Sequence, residues 1–255
     1  GIPIFIYFYS FFRYSSHFNY NSKVNIMSIF KNIINAWKSD DLLSQAWEES
    51  LSMLMLSQKI FLKSIKYLNS GEDIESVKDL KKRDITINDY HKSVRRKLVT
   101  HFSMGENSKH IASGFILAEM AVDIERIGDY CKNISDITIA RESKINFDSV
   151  SIEIKDIEKE VLKRFKETID AIDNQDEKIA SDIVKSYKPF VAKMSDDIVH
   201  NIISNTTKVD SNSDAATIVL YARYLKRIGA HLKNITTTVI NPYDKVGYQN
   251  DLNLL

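Results

Sequence analysis

The sequence is poor in residues that interrupt regular structure or cross-link a chain. Its 255 residues include only seven glycines, three prolines and one cysteine. Scarce glycine and proline argue against a sheet-rich, turn-rich fold and favour long helices. The single cysteine, Cys131, excludes an intramolecular disulfide framework and a CxxC zinc site, which fits a reducing compartment. Hydrophobic residues make up 44% of the chain, enough for the core of one large domain or two ordinary ones.

The chain also lacks a strong charge of either sign and any familiar catalytic motif. Its formal net charge is +1, so bulk electrostatics give no reason to expect binding to nucleic acid or to an anionic membrane. It contains no HExxH zinc motif, no Walker loop, no G-x-S-x-G nucleophile elbow and no Glu-x-x-His pair for a di-iron site. We therefore expect a protein that is not an enzyme.

Residues 1–39 are expected to form an N-terminal extension with room for a short helix. The apolar run in IPIFIYFYSFF is shorter than the roughly 20 residues that a membrane-spanning helix needs. No basic segment precedes it and no clear cleavage site follows it, as a secretory signal would require. Met27 opens a segment that reads like an ordinary start. Residues 1–26 are therefore interpreted either as an incidental extension or as a contact with a membrane or partner.

Six long stretches carry apolar residues at helical spacing, and none of useful length shows the alternation of a strand. Three lie in each half of the chain, and Pro189 is expected to kink or split the fifth. The rows that predict these helices are Trp47, Leu54, Phe61 and Leu68; Leu80, Ile87 and Val94; Leu117, Ile124, Cys131 and Thr138; Ile154, Ile157, Val161, Phe165 and Ile172; Ile179, Ile183, Tyr187, Phe190, Met194 and Ile198; and Ile218, Leu225, Leu232 and Val239.

The third and sixth helices share a repeated segment. Residues 124–134 read IERIGDYCKNI and residues 225–235 read LKRIGAHLKNI. The repeat places these two helices in equivalent positions and predicts an all-α fold of two tandem antiparallel three-helix bundles, over residues 40–143 and 147–245. A glycine inside a long helix costs about 1 kcal/mol relative to alanine. Because Gly128 and Gly229 recur at the same place, we expect another helix to pack closely against each.

Two carboxylates of the first repeat are candidates for chemistry. Glu125 and Asp129 are four residues apart, which places them on one face of a helix beside the apolar seam. Such a pair repels itself unless a positive group lies nearby, so a metal cation is one reading. The other reading is a solvated face that basic neighbours neutralise. The second repeat has Lys226 and Ala230 in these places and should repel a cation, so any metal site of this kind is expected on one bundle only.

The predicted second helix carries charge of both signs. Asp84 begins a helical stripe, and Lys92, Arg95, Arg96 and Lys97 form a basic cluster. The cluster could receive phosphate or an acidic partner, or it could be a solvated face that pairs with neighbouring acids.

The repeated motif resembles the PhoU family of phosphate-uptake regulators. The match rests on ERIGDYCKNI at residues 125–134, on the segment from Leu220 that contains ARYLKRIGAHLKNI, and on DITINDYHKSVRRKLVTHF in the predicted second helix. It covers about residues 40–248 and both predicted bundles. Lys226 and Ala230 depart from the acidic pattern of that family.

The resemblance implies a cytoplasmic, non-enzymatic regulator that acts beside a phosphate transporter component, a sensor histidine kinase or both. It also implies iron, zinc or another divalent metal at Glu125 and Asp129, with Asp84 as a weaker candidate from the adjoining helix. We further expect a homodimer or larger oligomer, no nucleic-acid binding, and membrane association only through a partner. Two alternatives stay open: a helical adaptor unrelated to phosphate, and a metal-dependent hydrolase that uses the carboxylate face.

Overall fold

The computed structural model describes residues 41–70, 74–104, 110–141, 145–241 and 243–248. The expectations for residues 1–39 fall outside this part of the chain. Within it, the residues form helices and no strand is present, which confirms the all-α prediction. None of the described helices is long and apolar enough to cross a membrane.

Eight α-helices are present in the described residues. In chain order they are α1 (Asp41–Ser70), α2 (Ile74–Lys82), α3 (Asp84–Ser103), α4 (Ile111–Ala140), α5 (Ser151–Asn174), α6 (Glu177–Tyr187), α7 (Lys193–Ile203) and α8 (Asn212–Ile240). Short 3-10 turns cover Asp148–Val150 and Tyr243–Lys245. The first bundle consists of α1 to α4 and the second of α5 to α8.

The predicted second helix is divided by a single turn at Arg83. The Arg83 N–H bonds to the Leu80 carbonyl, and the Thr86 N–H bonds to the Arg83 carbonyl, so the chain tightens to 3-10 bonding there. The turn lies immediately before Asp84, the first residue of α3, which is buried against α4.

The predicted fifth helix contains a π turn over Lys188–Ala192 that joins α6 to α7. Pro189 lies inside this turn, as expected for a residue that cannot continue an α-helical hydrogen-bond ladder. The prediction of Phe190 as a core residue was wrong. Val191 is fully buried and Phe190 is 55% exposed, because the buried row runs through Val184, Val191 and Ile198 at seven-residue spacing.

The two bundles pack through α4 and α8, which run antiparallel. The end of α4 lies beside the start of α8, where Arg141 donates to Asp214 (2.6 Å). Further along, the rings of Tyr130 and Tyr224 lie 5.9 Å apart. The helices α3, α4, α8 and α6–α7 form one layer, and α1 and α5 lie behind α4 and α8.

One hydrophobic core runs through both bundles. Phe61 of α1 and Phe165 of α5 are fully buried, and their ring centroids lie 5.4 Å apart. Cys131 and Leu232 occupy equivalent buried places in the repeat. Burial raises the pKa of the Cys131 thiol far above its ordinary value, which suits an inert core residue better than a redox centre.

Candidate functional site

The candidate site lies on the exposed side of α4, where the structure places Glu125 and Asp129 together. Arg126 lies between them. Its Nη1 is 3.1 Å from Asp129 Oδ2 and its Nε is 3.7 Å from Glu125 Oε2. The side chains of Glu125 and Asp129 are 19% and 35% exposed, as predicted for positions beside the apolar seam.

Asp84 reaches the same place from the start of α3. Its Oδ2 accepts hydrogen bonds from Lys132 Nζ and Asn88 Nδ2, each at 3.2 Å. Its Oδ1 is buried and has no hydrogen-bond partner. Gly128 makes this approach feasible, because a Cβ there would lie 2.9 Å from Ile87 Cδ1 and 3.7 Å from Asp84 Oδ1. The predicted packing role of Gly128 is therefore confirmed.

The three carboxylates share one electrostatic environment. Burial raises the pKa of Glu125, and the negative charges of Asp129 and Asp84 raise it further, while Arg126 and Arg95 lower it. Negative charge is therefore costly at Glu125. An added cation would relieve it, but the site already contains two cations, since Arg126 pairs with Glu125 and Asp129 and Lys132 pairs with Asp84.

The side chains do not form a metal site in this arrangement. Across the described part of the chain, no group of three or more His, Cys, Asp or Glu side chains is placed to hold a metal ion. Of these three carboxylates, Asp84 alone has a buried oxygen without a hydrogen-bond partner, Oδ1. Metal binding by Glu125, Asp129 and Asp84 stays a prediction, and it requires Arg126 or Lys132 to move away.

The second bundle keeps the glycine contact and replaces the carboxylates. A Cβ on Gly229 would lie 2.9 Å from Val191 Cγ1, so this glycine is also a close helix contact. Lys226 takes the place of Glu125 and donates to both oxygens of Asp196, at 2.7 and 2.6 Å. Because an ammonium already fills this place, it is unsuited to a cation.

The repeated lysine has a different partner in each half. Lys132 binds Asp84, but the place of Asp84 is taken in the second bundle by Tyr187. Lys233 instead donates to the carbonyl of Gly247 (2.6 Å), in the segment that follows α8. The sequence indicated the recurrence of this lysine, but its binding partners depend on which residues meet it from neighbouring helices.

A second polar cluster joins the two bundles, and no sequence pattern indicated it. His231 Nδ1 on α8 donates to Asp123 Oδ1 on α4 at 2.7 Å, and Asn234 Nδ2 lies 3.3 Å from the same oxygen. Tyr130 stacks on His231, with 5.8 Å between ring centroids, and accepts a hydrogen bond from Arg227. Because its partners lie more than 90 residues apart, the cluster could be found only in three dimensions.

Comparison with known proteins agrees with the repeat. The chain matches the PhoU domain twice, over residues 51–138 and 154–239, once in each bundle. No curated protein matches its sequence. Two crystal structures share the fold. PhoU from Pseudomonas aeruginosa is 20% identical with a TM-score of 0.66, and the alignment covers 78% of this chain and 95% of that one. The phosphate transport system regulatory protein PhoU from Streptococcus pneumoniae is 14% identical with a TM-score of 0.63, covering 77% and 92%.

The two domain matches together span more than half of the sequence and coincide with the two halves that the ERIGD and KRIGA segments define. This chain belongs to the PhoU domain family.

Proposed function

We propose that this protein regulates phosphate transport and the phosphate-starvation response in the cytoplasm by docking on a transporter component, a sensor histidine kinase or both. The observation that carries the proposal is the presence of two PhoU domains in register with the internal repeat. The Streptococcus pneumoniae relative is described as a phosphate transport system regulatory protein. The proposed action needs no catalysis.

The charge of the central helices supports action by docking. The five carboxylates and two basic residues of α4 stand beside the single carboxylate and four basic residues of α8. The two central helices of the layer therefore carry opposite charge, a property that selects and orients protein partners. The shared core holds these helices together as one surface.

Gene deletion and complementation test the proposed function. We expect deletion to change phosphate uptake and the expression of phosphate-starvation genes, and the full-length gene to restore both. An empty vector is the control. Unchanged uptake after deletion would contradict the proposal and favour the adaptor unrelated to phosphate. Phosphoester turnover by the pure protein, lost in Asp129→Asn, would favour the hydrolase.

Metal analysis tests the proposal that the first bundle binds iron or zinc. We expect the purified chain to retain metal after incubation with excess iron or zinc, and Glu125→Ala with Asp129→Ala to reduce it. Arg126→Ala should raise metal retention, because it removes the guanidinium that competes for both carboxylates. Lys226→Ala is the matched change in the second bundle and should have no effect. Equal metal content in the wild type and the double variant would refute this part.

A further inference from the structure

The two bundles make the same glycine contact from helices that differ in hydrogen bonding. Gly128 contacts Asp84 and Ile87 of the α-helix α3, and Gly229 contacts Tyr187 and Val191 at the π turn over Lys188–Ala192. Because the first bundle makes the equivalent contact from an α-helix, helix packing does not require a π turn.

The hydrogen bonding of the π turn follows from Pro189. A proline has no N–H to donate to the carbonyl four residues before it. The Lys193 N–H bonds to the carbonyl of Lys188, five residues back, which closes the wider turn. Single π turns inside α-helices are frequent at functional sites.

Around the π turn this helix presents lysines and one aromatic side chain to solvent. Val191 takes the buried place against Gly229, while Lys188, Pro189 and Phe190 are exposed. Lys185 and Lys193, on either side, are exposed as well. We define the bulge surface as Lys185, Lys188, Phe190 and Lys193. From residue 185 to residue 193 the sequence KSYKPFVAK contains three lysines and no carboxylate.

The positive charge of the bulge surface is only partly neutralised. Lys193 pairs with Asp197, and Asp196 is bound by Arg223 and Lys226 of α8. Among the described residues, no carboxylate lies within ion-pair distance of Lys185 or Lys188. Burial lowers the pKa of Lys233, the charge of Asp123 opposes this effect, and the charge of Lys188 adds to it.

We propose that the bulge surface is a docking site for an acidic helical segment of a partner protein. Carboxylates of the segment would pair with Lys185 and Lys188, and an apolar residue would pack on Phe190. Aromatic side chains are enriched at protein interfaces, and complementary charge steers and orients the partner. This inference rests on the proposed docking function and assigns it a surface.

Two other occupants fit the surface less well. A helix that binds an anionic membrane needs a continuous apolar face to enter the lipid. The bulge surface offers one aromatic side chain, and Asp196 and Asp197 follow it within one turn. In a second copy of this chain, Arg126 and Lys132 already bind Asp129 and Asp84 of α4.

Peptide binding tests the proposal directly. The probe is a fluorescein-labelled helical peptide of about 20 residues with glutamate on one face and leucine on the other. We expect Lys185→Glu, Lys188→Glu and Lys193→Glu together to weaken its binding by about tenfold or more, and Phe190→Ser alone by about fivefold. The same peptide with lysine in place of glutamate should not bind the wild type or the variants.

Matched control variants distinguish a specific effect of the bulge surface from a general loss of positive charge or of an exposed phenylalanine. The control triple is Lys159→Glu, Lys163→Glu and Lys166→Glu on α5, where all three lysines are exposed, and the control for Phe190 is the exposed Phe115→Ser. Both controls should bind the peptide like the wild type. Equal weakening by the control triple would overturn the proposal. The proposal would also be overturned if the bulge variants bound the peptide like the wild type but lost binding to phosphatidylglycerol vesicles. Loss of self-association with unchanged peptide binding would overturn it as well.

Complementation in cells distinguishes this inference from the proposed function. Bulge variants that are present at the wild-type level should fail to restore phosphate control to the deletion strain, whereas the control variants should restore it. Full restoration by Phe190→Ser and by the bulge triple would overturn the inference and leave the proposed function standing. If the wild-type gene itself had no effect, the result would count against the proposed function. The peptide measurements would still test whether the bulge surface binds an acidic helix.

Discussion

Replacing Phe61 with alanine is expected to lower the free energy of unfolding by about 3–5 kcal/mol. Phe61 is fully buried on α1, and its ring contacts that of Phe165 on α5, so the change opens a cavity between the two bundles. Because both bundles share this core, we expect them to unfold in one cooperative transition in the wild type and in the variant. Urea unfolding followed by circular dichroism and by tryptophan fluorescence measures both quantities.

Phe115→Ala is the matched control for Phe61→Ala. Phe115 is also a phenylalanine on a long helix, but it is 53% exposed and contacts only the ring of Tyr243 among aromatic groups of the described chain. We expect a loss below about 1 kcal/mol. Two separate transitions, with only one shifted by Phe61→Ala, would show that the bundles fold independently and would contradict the continuous core.

Replacing Arg164 with alanine is expected to cost about 3 kcal/mol or more, because it leaves buried partners unpaired. Arg164 is fully buried on α5. It donates to the Ile183 carbonyl at 2.7 Å and to Ser186 Oγ at 2.8 Å, and its Nη2 lies 3.0 Å from Glu160 Oε1. Ile183 and Ser186 belong to the last turns of α6, directly before the π turn. Arg164 therefore holds the segment that presents the bulge surface.

Two measurements distinguish the loss of Arg164 from the removal of any charged side chain on α5. The neighbouring Lys163 is exposed and pairs with Glu167 at 3.6 Å, so Lys163→Ala should change stability by less than about 0.5 kcal/mol. Hydrogen exchange should show faster exchange in Arg164→Ala over α6 and the π turn, and little change in α1. Equal hydrogen-exchange rates over α6 and the π turn in the wild type and in Arg164→Ala would contradict an anchoring role for this arginine.

The different chemistry of the two repeats has a structural basis. Gly128 and Gly229 keep the same close helix contact, so the RIG segments specify packing in both bundles. Outside that contact the side chains are free to differ. The first half places acids around Arg126 and Lys132, and the second places Lys226 on Asp196. The carboxylates are thus separable from the fold, which allows α4 to be acidic and α8 to be basic.

The sequence by itself determined the helical class, the two-bundle repeat and the seam, because helical spacing and a repeated motif are local patterns. It also placed Glu125 and Asp129 together on one partly exposed face, since residues four apart on a helix lie together. Tertiary structure alone decided the partners: Lys132 for Asp84, Asp123 for His231, and a core running from Phe61 to Phe165. The exposure of Phe190 also depended on the fold. The buried row of this helix runs through Val184, Val191 and Ile198, and Phe190 lies off that row. Phe190 and Val191 both suit a helical row that continues from Tyr187, so the packing against Gly229 decided between them.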